Sequence, residues 1–148
     1  MFRKILVPLD GSTAAERALT YAIDLADRSQ GEIVLTRVQA SPGAVGFAVD
    51  LPIPQQAYAA EHRHCQAYLE DVRARLLSKG QTVRLETPEG DPSSAILEMA
   101  EKDGCDLIVI SSHGRTGVGR FFLGSVAEKV TRHAHCPVLI ARREASPR

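Results

Sequence analysis

Leu107-Ile108-Val109-Ile110 is a short, continuous apolar run, and Ser111-Ser112-His113-Gly114-Arg115-Thr116-Gly117 follows it directly. Gly124-Ser125 then opens a helical pattern over residues 126–133. A strand that leads through a glycine-rich loop to a helix N-terminus presents unpaired backbone N–H groups and the positive end of the helix dipole at one place. Such a place suits phosphate, so this stretch predicts binding of a nucleotide or another phosphorylated ligand.

The remainder of the chain alternates between continuous apolar runs and apolar residues at helical spacing. This alternation is typical of βαβ units around a parallel sheet, which makes the expected fold class α/β. The predicted strands cover residues 4–9, 32–38, 82–87, 106–110 and 137–141. The predicted helices cover residues 14–26, 61–78, 92–101 and 126–133. We expect one domain over residues 1–142, followed by a polar tail over residues 143–148.

Polar and flexible residues punctuate this pattern. Ser12 or Thr13 is expected to cap the first helix, Gly31 to end it, and Asp91 to precede the third helix. The connection over residues 40–56 is long for a compact domain and leaves the carboxyl end of the second strand, where ligands of open parallel sheets bind. Two interpretations stay open for it, a functional flap or a variable surface excursion.

Composition limits the function classes. The chain has 148 residues with 44% hydrophobic content, and 18 Lys and Arg balance 18 Asp and Glu. Without an overall basic field, we expect no nucleic-acid partner. No run reaches the roughly 20 apolar residues of a membrane span, and the apolar stretch before Asp10 is short for a signal peptide. With three cysteines, we expect a cytoplasmic protein without a disulfide framework.

Histidine and cysteine occur in two similar clusters, His62-Arg63-His64-Cys65 and His133-Ala134-His135-Cys136. His and Cys together are zinc ligands, but on a helix His62 and Cys65 share a face that His64 does not. We therefore expect no metal site. Cys136 and Cys105 are expected to be buried in the core.

Four segments, in order along the chain, resemble the universal stress protein family. They are Ile5-Leu6-Val7-Pro8-Leu9-Asp10-Gly11-Ser12, Gly90-Asp91-Pro92, Asp106-Leu107-Ile108-Val109 with Ser112 to Gly117, and Leu123 to Val130 continuing to Cys136-Pro137-Val138-Leu139. The resemblance implies an open five-stranded parallel sheet in the order 3-2-1-4-5 with helices on both faces, a Rossmann-like arrangement. It also implies a homodimer, often made through the last strand, here around Val138 and Ile140.

In one branch of that family, ATP with Mg²⁺ is held by a motif of the form Gly-x-x-Gly-(nine residues)-Gly-Ser/Thr. Gly114, Gly124 and Ser125 fit this motif with the correct spacing, whereas Ser111 stands in the position of the first glycine. A serine is tolerated there if its φ is negative. At a positive φ it would cost about 1 kcal/mol and indicate a distorted pocket.

The resemblance also implies a ligand site at the carboxyl end of the sheet, with the backbone of Val38 at the adenine edge. The implied binding residues are Pro8, Asp10, Val38, Ser111, Ser112, His113, Gly114, Arg115, Thr116, Gly117, Gly124, Ser125, Val126 and Ala127. For Asp10-Gly11-Ser12 and for Gly124-Ser125, helix capping is the alternative interpretation. Arg115 either neutralises phosphate or is solvated, and the His113 ring either acts as a general base or packs locally.

An enzymatic role has little support in the sequence. The chain lacks a Gly-x-x-x-x-Gly-Lys-Ser/Thr motif, whose lysine bridges phosphates. Three hypotheses remain: an ATP-binding regulatory module, a dimeric stress protein that acts without ATP, and a weak ATPase.

Overall fold

A computed structural model describes residues 1–39, 54–113 and 123–142 of the chain. The described residues form β1 Lys4–Pro8, α1 Arg17–Ser29, β2 Glu32–Thr36, α2 Gln55–Leu77, β3 Thr82–Glu86, α3 Pro92–Lys102, β4 Leu107–Ser111, α4 Ser125–His133 and β5 Val138–Ala141. The five strands make one parallel sheet in the order β3-β2-β1-β4-β5. The predicted fold class and strand order are therefore confirmed.

The central strands are buried on both faces, which explains why they are continuous apolar runs rather than alternating ones. Ile5 and Val7 of β1 belong to an apolar core that also contains residues of α1 and α2. Leu6, between them, belongs to a second core with residues of α3 and α4. Helices thus cover both faces of the sheet, as expected. Each fully buried Ile or Leu side chain contributes roughly 1.5–3 kcal/mol.

The direction of strand addition reverses at β1. Leu6 pairs with Val34 of β2 on one side and with Ile108 of β4 on the other. From β1 the chain adds β2 and β3 outward, and then returns to place β4 against the other edge of β1. At such a reversal the connections leave the sheet in opposite directions and open a crevice at the carboxyl ends of the strands.

The strand boundaries differ from the predicted ones by one or two residues, but α2 differs more. It begins at Gln55, six residues before the predicted start at Glu61. Its early turns are mostly exposed and carry no apolar stripe, so periodicity does not reveal them. Leu77, the last residue of the helix, is 47% exposed.

Both ends of α1 differ from the prediction, which was a helix over residues 14–26 that Gly31 ends. The helix begins at Arg17, and the Ser12 hydroxyl caps the turn before it by accepting the Ala15 N–H at 3.1 Å. At the other end Gln30 adopts the left-handed conformation, with φ 52°. Gly31 is required for packing instead, because a Cβ there would lie 2.6 Å from the Phe2 carbonyl oxygen.

The two cysteines assigned to the core differ from each other. Cys105 is 2% exposed, as expected. Cys136 is only partly buried, which corrects the expectation, because it precedes the edge strand β5 and is therefore covered on fewer sides. None of the described helices is long and apolar enough to cross a membrane.

Asp91 is the N-cap of α3, and its loss has a defined cost. Its carboxylate accepts hydrogen bonds from the Ser93 hydroxyl at 2.7 Å and from the Ser94 N–H and hydroxyl, each at 3.0 Å. These bonds lower the pKa of Asp91 from 3.8 to about 2. We predict that Asp91→Ala lowers the free energy of unfolding in urea by about 1 kcal/mol at neutral pH.

Because the folded pKa is depressed, this stabilisation is present above pH 3.8 and is lost as the pH falls towards about 2. The difference between wild type and Asp91→Ala should therefore shrink over that interval. Asp91→Asn is the control, since Asn keeps a capping oxygen that does not titrate there. Equal stability of wild type and Asp91→Ala at neutral pH would contradict the capping role.

Candidate functional site

The crevice at the carboxyl edge is bordered by the ends of β1, β2 and β4. Pro8, at the end of β1, is buried and pairs with Thr36 at the end of β2. Ser111, at the end of β4, pairs with Ala141 on its far side. The structure thus brings the predicted residues Pro8, Val38 and Ser111 to one edge of the sheet.

The backbone of Val38 is left without a strand partner. Gln39 donates its N–H to the Pro88 carbonyl on the β3 side at 2.8 Å, whereas the Thr36 carbonyl accepts the Leu9 N–H on the β1 side at 2.7 Å. Backbone groups of successive residues in a strand point to opposite sides, so the N–H and C=O of Val38 point to the same side as those of Thr36, towards β1. The last hydrogen bond from the β1 segment to this strand is the one from Leu9. No hydrogen bond joins them to another described residue. A donor and an acceptor therefore lie side by side, as the edge of a nucleobase requires.

Asp10 is held in a local turn at the end of β1. Its Oδ1 accepts the Ser12 N–H at 2.9 Å and also the Ser12 hydroxyl. Since Ser12 in turn caps the start of the next turn, the capping role considered for Asp10-Gly11-Ser12 is present in the structure. These contacts fix the Asp10 carboxylate beside the crevice.

Ser111 adopts ordinary strand geometry. Gln30 is the one non-glycine with a positive φ among the described residues, so Ser111 does not carry the strain that would indicate a distorted pocket. The Ser111 side chain is largely buried, and its hydroxyl donates to the His113 carbonyl at 2.9 Å. The serine in place of the motif glycine is therefore accommodated, and its hydroxyl braces the turn after β4.

The N-terminus of α4 is tied to the end of β4. Gly124, its N-cap, donates its N–H to the Ser112 carbonyl at 2.8 Å, and a Cβ on Gly124 would lie 3.0 Å from that same oxygen. Gly124 therefore occupies the N-cap position, as the capping interpretation has it, but as a glycine it offers no side-chain acceptor to the first N–H groups of the helix. The first helical bond within the described part runs from the Glu128 N–H to Gly124. The N–H groups of residues 125–127 thus have no hydrogen-bond partner among the described residues, and they suit an anion.

Several buried side-chain atoms near the carboxyl ends of β2 and β4 lack a hydrogen-bond partner among the described residues. Six buried side-chain nitrogen or oxygen atoms of the described residues lack a hydrogen-bond partner, and two of them are arginine Nε atoms away from the edge. The other four belong to residues that follow β2 or β4, or end β2: Thr36 Oγ1, Arg37 Nη1, Gln39 Nε2 and His113 Nε2. Burying such an atom unpaired costs about 1–3 kcal/mol. Arg37 and Gln39 contact Glu61 and His62 of α2, so their unpaired nitrogens lie on the α2 face of the sheet. Thr36 lies on the opposite face, since side chains alternate along β2.

Sequence reasoning did not find Thr36, Arg37 or Gln39. The signal was present, since polar residues directly follow the apolar run at the end of β2. Arg37, although only 5% exposed, pairs with Glu61 at 3.2 Å and lies over the Tyr68 ring at 5.5 Å. Burial, together with a hydrogen bond to Glu16, raises the pKa of Tyr68 above its ordinary value.

The contacts of the His113 ring favour local packing over a role as a general base. Its Nδ1 lies 3.0 Å from the Ser112 hydroxyl, and no described carboxylate contacts the ring. Gly114, Arg115, Thr116 and Gly117 lie outside the described residues, as do residues 40–53 of the long connection, so their predicted roles stay predictions. Within the described ranges, no three His, Cys, Asp or Glu side chains are grouped to hold a metal.

Comparisons with known proteins agree with this arrangement. A sequence profile of the Universal stress protein family matches residues 1–142. The chain is 34% identical over 143 residues to universal stress protein MJ0531 of Methanocaldococcus jannaschii, covering 97% of this chain and 84% of that protein. Its fold matches the hypothetical protein MJ0577 with a TM-score of 0.85 at 28% identity, covering 99% of both chains. It also matches a universal stress protein in complex with cAMP, with a TM-score of 0.71 at 26% identity, covering 94% of this chain and 96% of that one.

Removing the Thr36 hydroxyl tests, through the free energy of unfolding, whether that hydroxyl lacks a hydrogen-bond partner. Thr36 is fully buried and its Oγ1 has no partner, so we predict that Thr36→Val raises the free energy of unfolding by about 1 kcal/mol. Thr131→Val is the matched control, because the Thr131 hydroxyl donates to the Ala127 carbonyl at 2.7 Å and should not give a gain. A loss of stability in Thr36→Val, measured by urea denaturation, would show that this hydroxyl is satisfied.

Proposed function

The chain belongs to the universal stress protein family, and we propose that it binds an adenine nucleotide, ATP with Mg²⁺, as a regulatory module. The observation that carries the proposal is the N-terminus of α4, which the hydrogen bond from Gly124 to Ser112 holds at the end of β4. Its first N–H groups, of residues 125–127, have no partner within the described part of the chain. The cAMP held by a structural relative supports an adenine nucleotide as the ligand class.

The proposed binding mode divides the ligand between two ends of the crevice. The N–H and C=O of Val38 suit the donor and acceptor atoms on the adenine edge. The N–H groups of Ser125, Val126 and Ala127, with the Ser125 hydroxyl, suit the phosphates. In this binding mode Pro8, Asp10 and Ser111 to His113 lie between the adenine and the phosphates. From the motif alone, we propose that Gly114 to Gly117 contact the ribose and phosphates.

A regulatory role fits these residues better than a catalytic one. The ring of His113 is bonded to Ser112, and no described carboxylate orients it as a general base. Bound ATP would therefore persist and bias the protein between conformations. The three free cysteines favour a reducing cytoplasm as the place of action.

Two substitutions at Ser125 separate its backbone donor from its hydroxyl. Gly124 has φ −59° and ψ 150°, a conformation that allows proline to follow, and proline is well tolerated at the first helical position. We predict that Ser125→Pro keeps the fold but weakens ATP binding by roughly tenfold or more, since a hydrogen bond to a charged group is worth about 1.5–3 kcal/mol. Isothermal titration calorimetry measures this change.

Ser125→Ala is the control, because it removes the hydroxyl and keeps the N–H. Adenosine, which lacks phosphate, should bind both variants as it binds the wild type. Equal loss of ATP and adenosine binding in Ser125→Pro would contradict a phosphate contact. Absence of binding by the wild type would favour the alternative function, a dimeric stress protein that acts without nucleotide.

We also propose a homodimer through β5. The carbonyls of Pro137 and Ala141 accept hydrogen bonds from β4, at 3.0 Å each, so the N–H and C=O groups of Val138 and Ile140 face the open edge. The side chains of Val138, Leu139 and Ile140 are partly exposed. An apolar edge strand invites pairing, and a second copy of the same edge satisfies it with two-fold symmetry.

Ile140→Pro tests this edge. Proline removes an outward-facing N–H and leaves the hydrogen bonds to β4, so light scattering at micromolar concentration should change from a dimer mass to a monomer mass. Ile140→Ala loses the same apolar contacts but keeps the N–H, and it should remain dimeric. A monomer mass for the wild type would overturn the proposed interface.

A further inference from the structure

Two cysteines occupy matching positions at the amino-terminal edge of the sheet, opposite the proposed nucleotide site. Cys105 lies two residues before β4, and Cys136 lies two residues before β5, its parallel neighbour. The register pairs Ile108 with Val138. Before this pair, residues 105–106 and 136–137 lie outside the strands, but Asp106, the residue next to Cys105, lies near enough to Cys136 to raise the pKa of its thiol. Neighbouring strands are about 4.8 Å apart, and a disulfide joins Cα atoms roughly 4.4–6.8 Å apart.

Both thiols contact the same apolar core. Cys105 is part of the core between the sheet and helices α3 and α4, and Cys136 packs against that core while remaining partly exposed. Burial raises the pKa of Cys105 to about 11, and the neighbouring Cys136 raises it further. Since no third ligand accompanies the two thiols among the described residues, a metal does not explain the pair.

We propose that Cys105 and Cys136 form a modification site, a thiol pair that a hydroperoxide oxidises to an intramolecular disulfide. In the first step the Cys136 sulfur attacks a peroxide oxygen, the O–O bond breaks, and water or alcohol leaves with the thiol proton. In the second step the Cys105 sulfur attacks the Cys136 sulfenic acid, the S–S bond forms and the S–O bond breaks. The hydroxyl departs as water with the Cys105 proton, so the peroxide is reduced and both thiols are oxidised.

Exposure sets the order of these steps. Cys136 reaches the surface and meets the oxidant first, whereas Cys105 is covered and acts as the resolving thiol. Burial and the nearby Asp106 raise the pKa of Cys136, and Asp103 raises that of Cys105 against the lowering effects of Lys4 and Arg84. The thiolate is the reactive form, so the oxidation is slow at neutral pH and accelerates as the pH rises.

The bond would close a loop that contains β4 and α4. This loop, residues 105–136, also includes Ser111 and the N-terminus of α4, to which the proposed nucleotide site belongs. Restricting the unfolded chain in this way stabilises the fold. The inference does not rest on nucleotide binding, since the two thiols lie at the other end of the sheet.

Peptide mapping tests the pair directly. Trypsin places the three cysteines in separate peptides, residues 64–73 for Cys65, 103–115 for Cys105 and 133–142 for Cys136. After hydrogen peroxide treatment of the full chain and digestion without reductant, we expect a linked peptide of 103–115 with 133–142, lighter than its parts by two hydrogen atoms. The reduced forms of both peptides should decline together, and the thermal midpoint should rise.

Variants of the cysteines supply the controls. Cys136→Ala and Cys105→Ala should abolish the linked peptide and the rise in the thermal midpoint, whereas Cys65→Ala should change neither. Linkage that appears only in a chain of dimer mass, linkage through Cys65, or oxidation of Cys136 to sulfinic or sulfonic acid with Cys105 still reduced would each overturn the proposal.

Discussion

The hydrogen bond from the Gly124 N–H to the Ser112 carbonyl, 2.8 Å long, sets where α4 begins relative to β4. Any side chain at residue 124 would crowd the same carbonyl, since a Cβ would lie 3.0 Å from it. The close approach aims the positive end of the α4 dipole at the carboxyl edge of the sheet. Gly124 therefore sets where the positive end of α4 lies relative to the sheet.

The topology of the sheet determines the space at the ends of β1 and β4. Because strand addition reverses at β1, the helices α1 and α4, which follow β1 and β4, cover opposite faces of the sheet. No described helix fills the space between the ends of the two strands. Val38 lies beyond the last residue of β1 that pairs with β2, so its backbone groups have no partner within the described ranges. Thr36 at the end of β2 and His113 after β4 each carry a buried side-chain atom that has no partner among the described residues. Polar groups without a described hydrogen-bond partner thus lie near the strand ends where we propose that the ligand binds.

The sequence predicted the layers of the fold well because the central strands are unbroken apolar runs and the helices have clear stripes. It failed where structure depends on tertiary contacts. The early turns of α2 carry no stripe, yet Glu61 and His62 bond to Arg37 and Gln39 across the gap to β2. The Ser111 backbone angle and the partial exposure of Cys136 also depend on neighbouring strands. Of the candidate site, Gly124 follows from motif spacing, and Pro8, Val38 and Ser111 follow from the resemblance to the family. Neither points to Thr36, Arg37 or Gln39.

The most direct test of the central claim is a residue-resolved ¹H–¹⁵N NMR titration with ATP and Mg²⁺. Binding across the crevice predicts the largest chemical-shift changes at the amides of Val38 and of residues 125–127, with little change at the opposite edge near Asp106. Adenosine should shift Val38 and leave residues 125–127 nearly unchanged. Shifts confined to another surface, or none at millimolar ATP, would contradict a nucleotide site between β1 and β4.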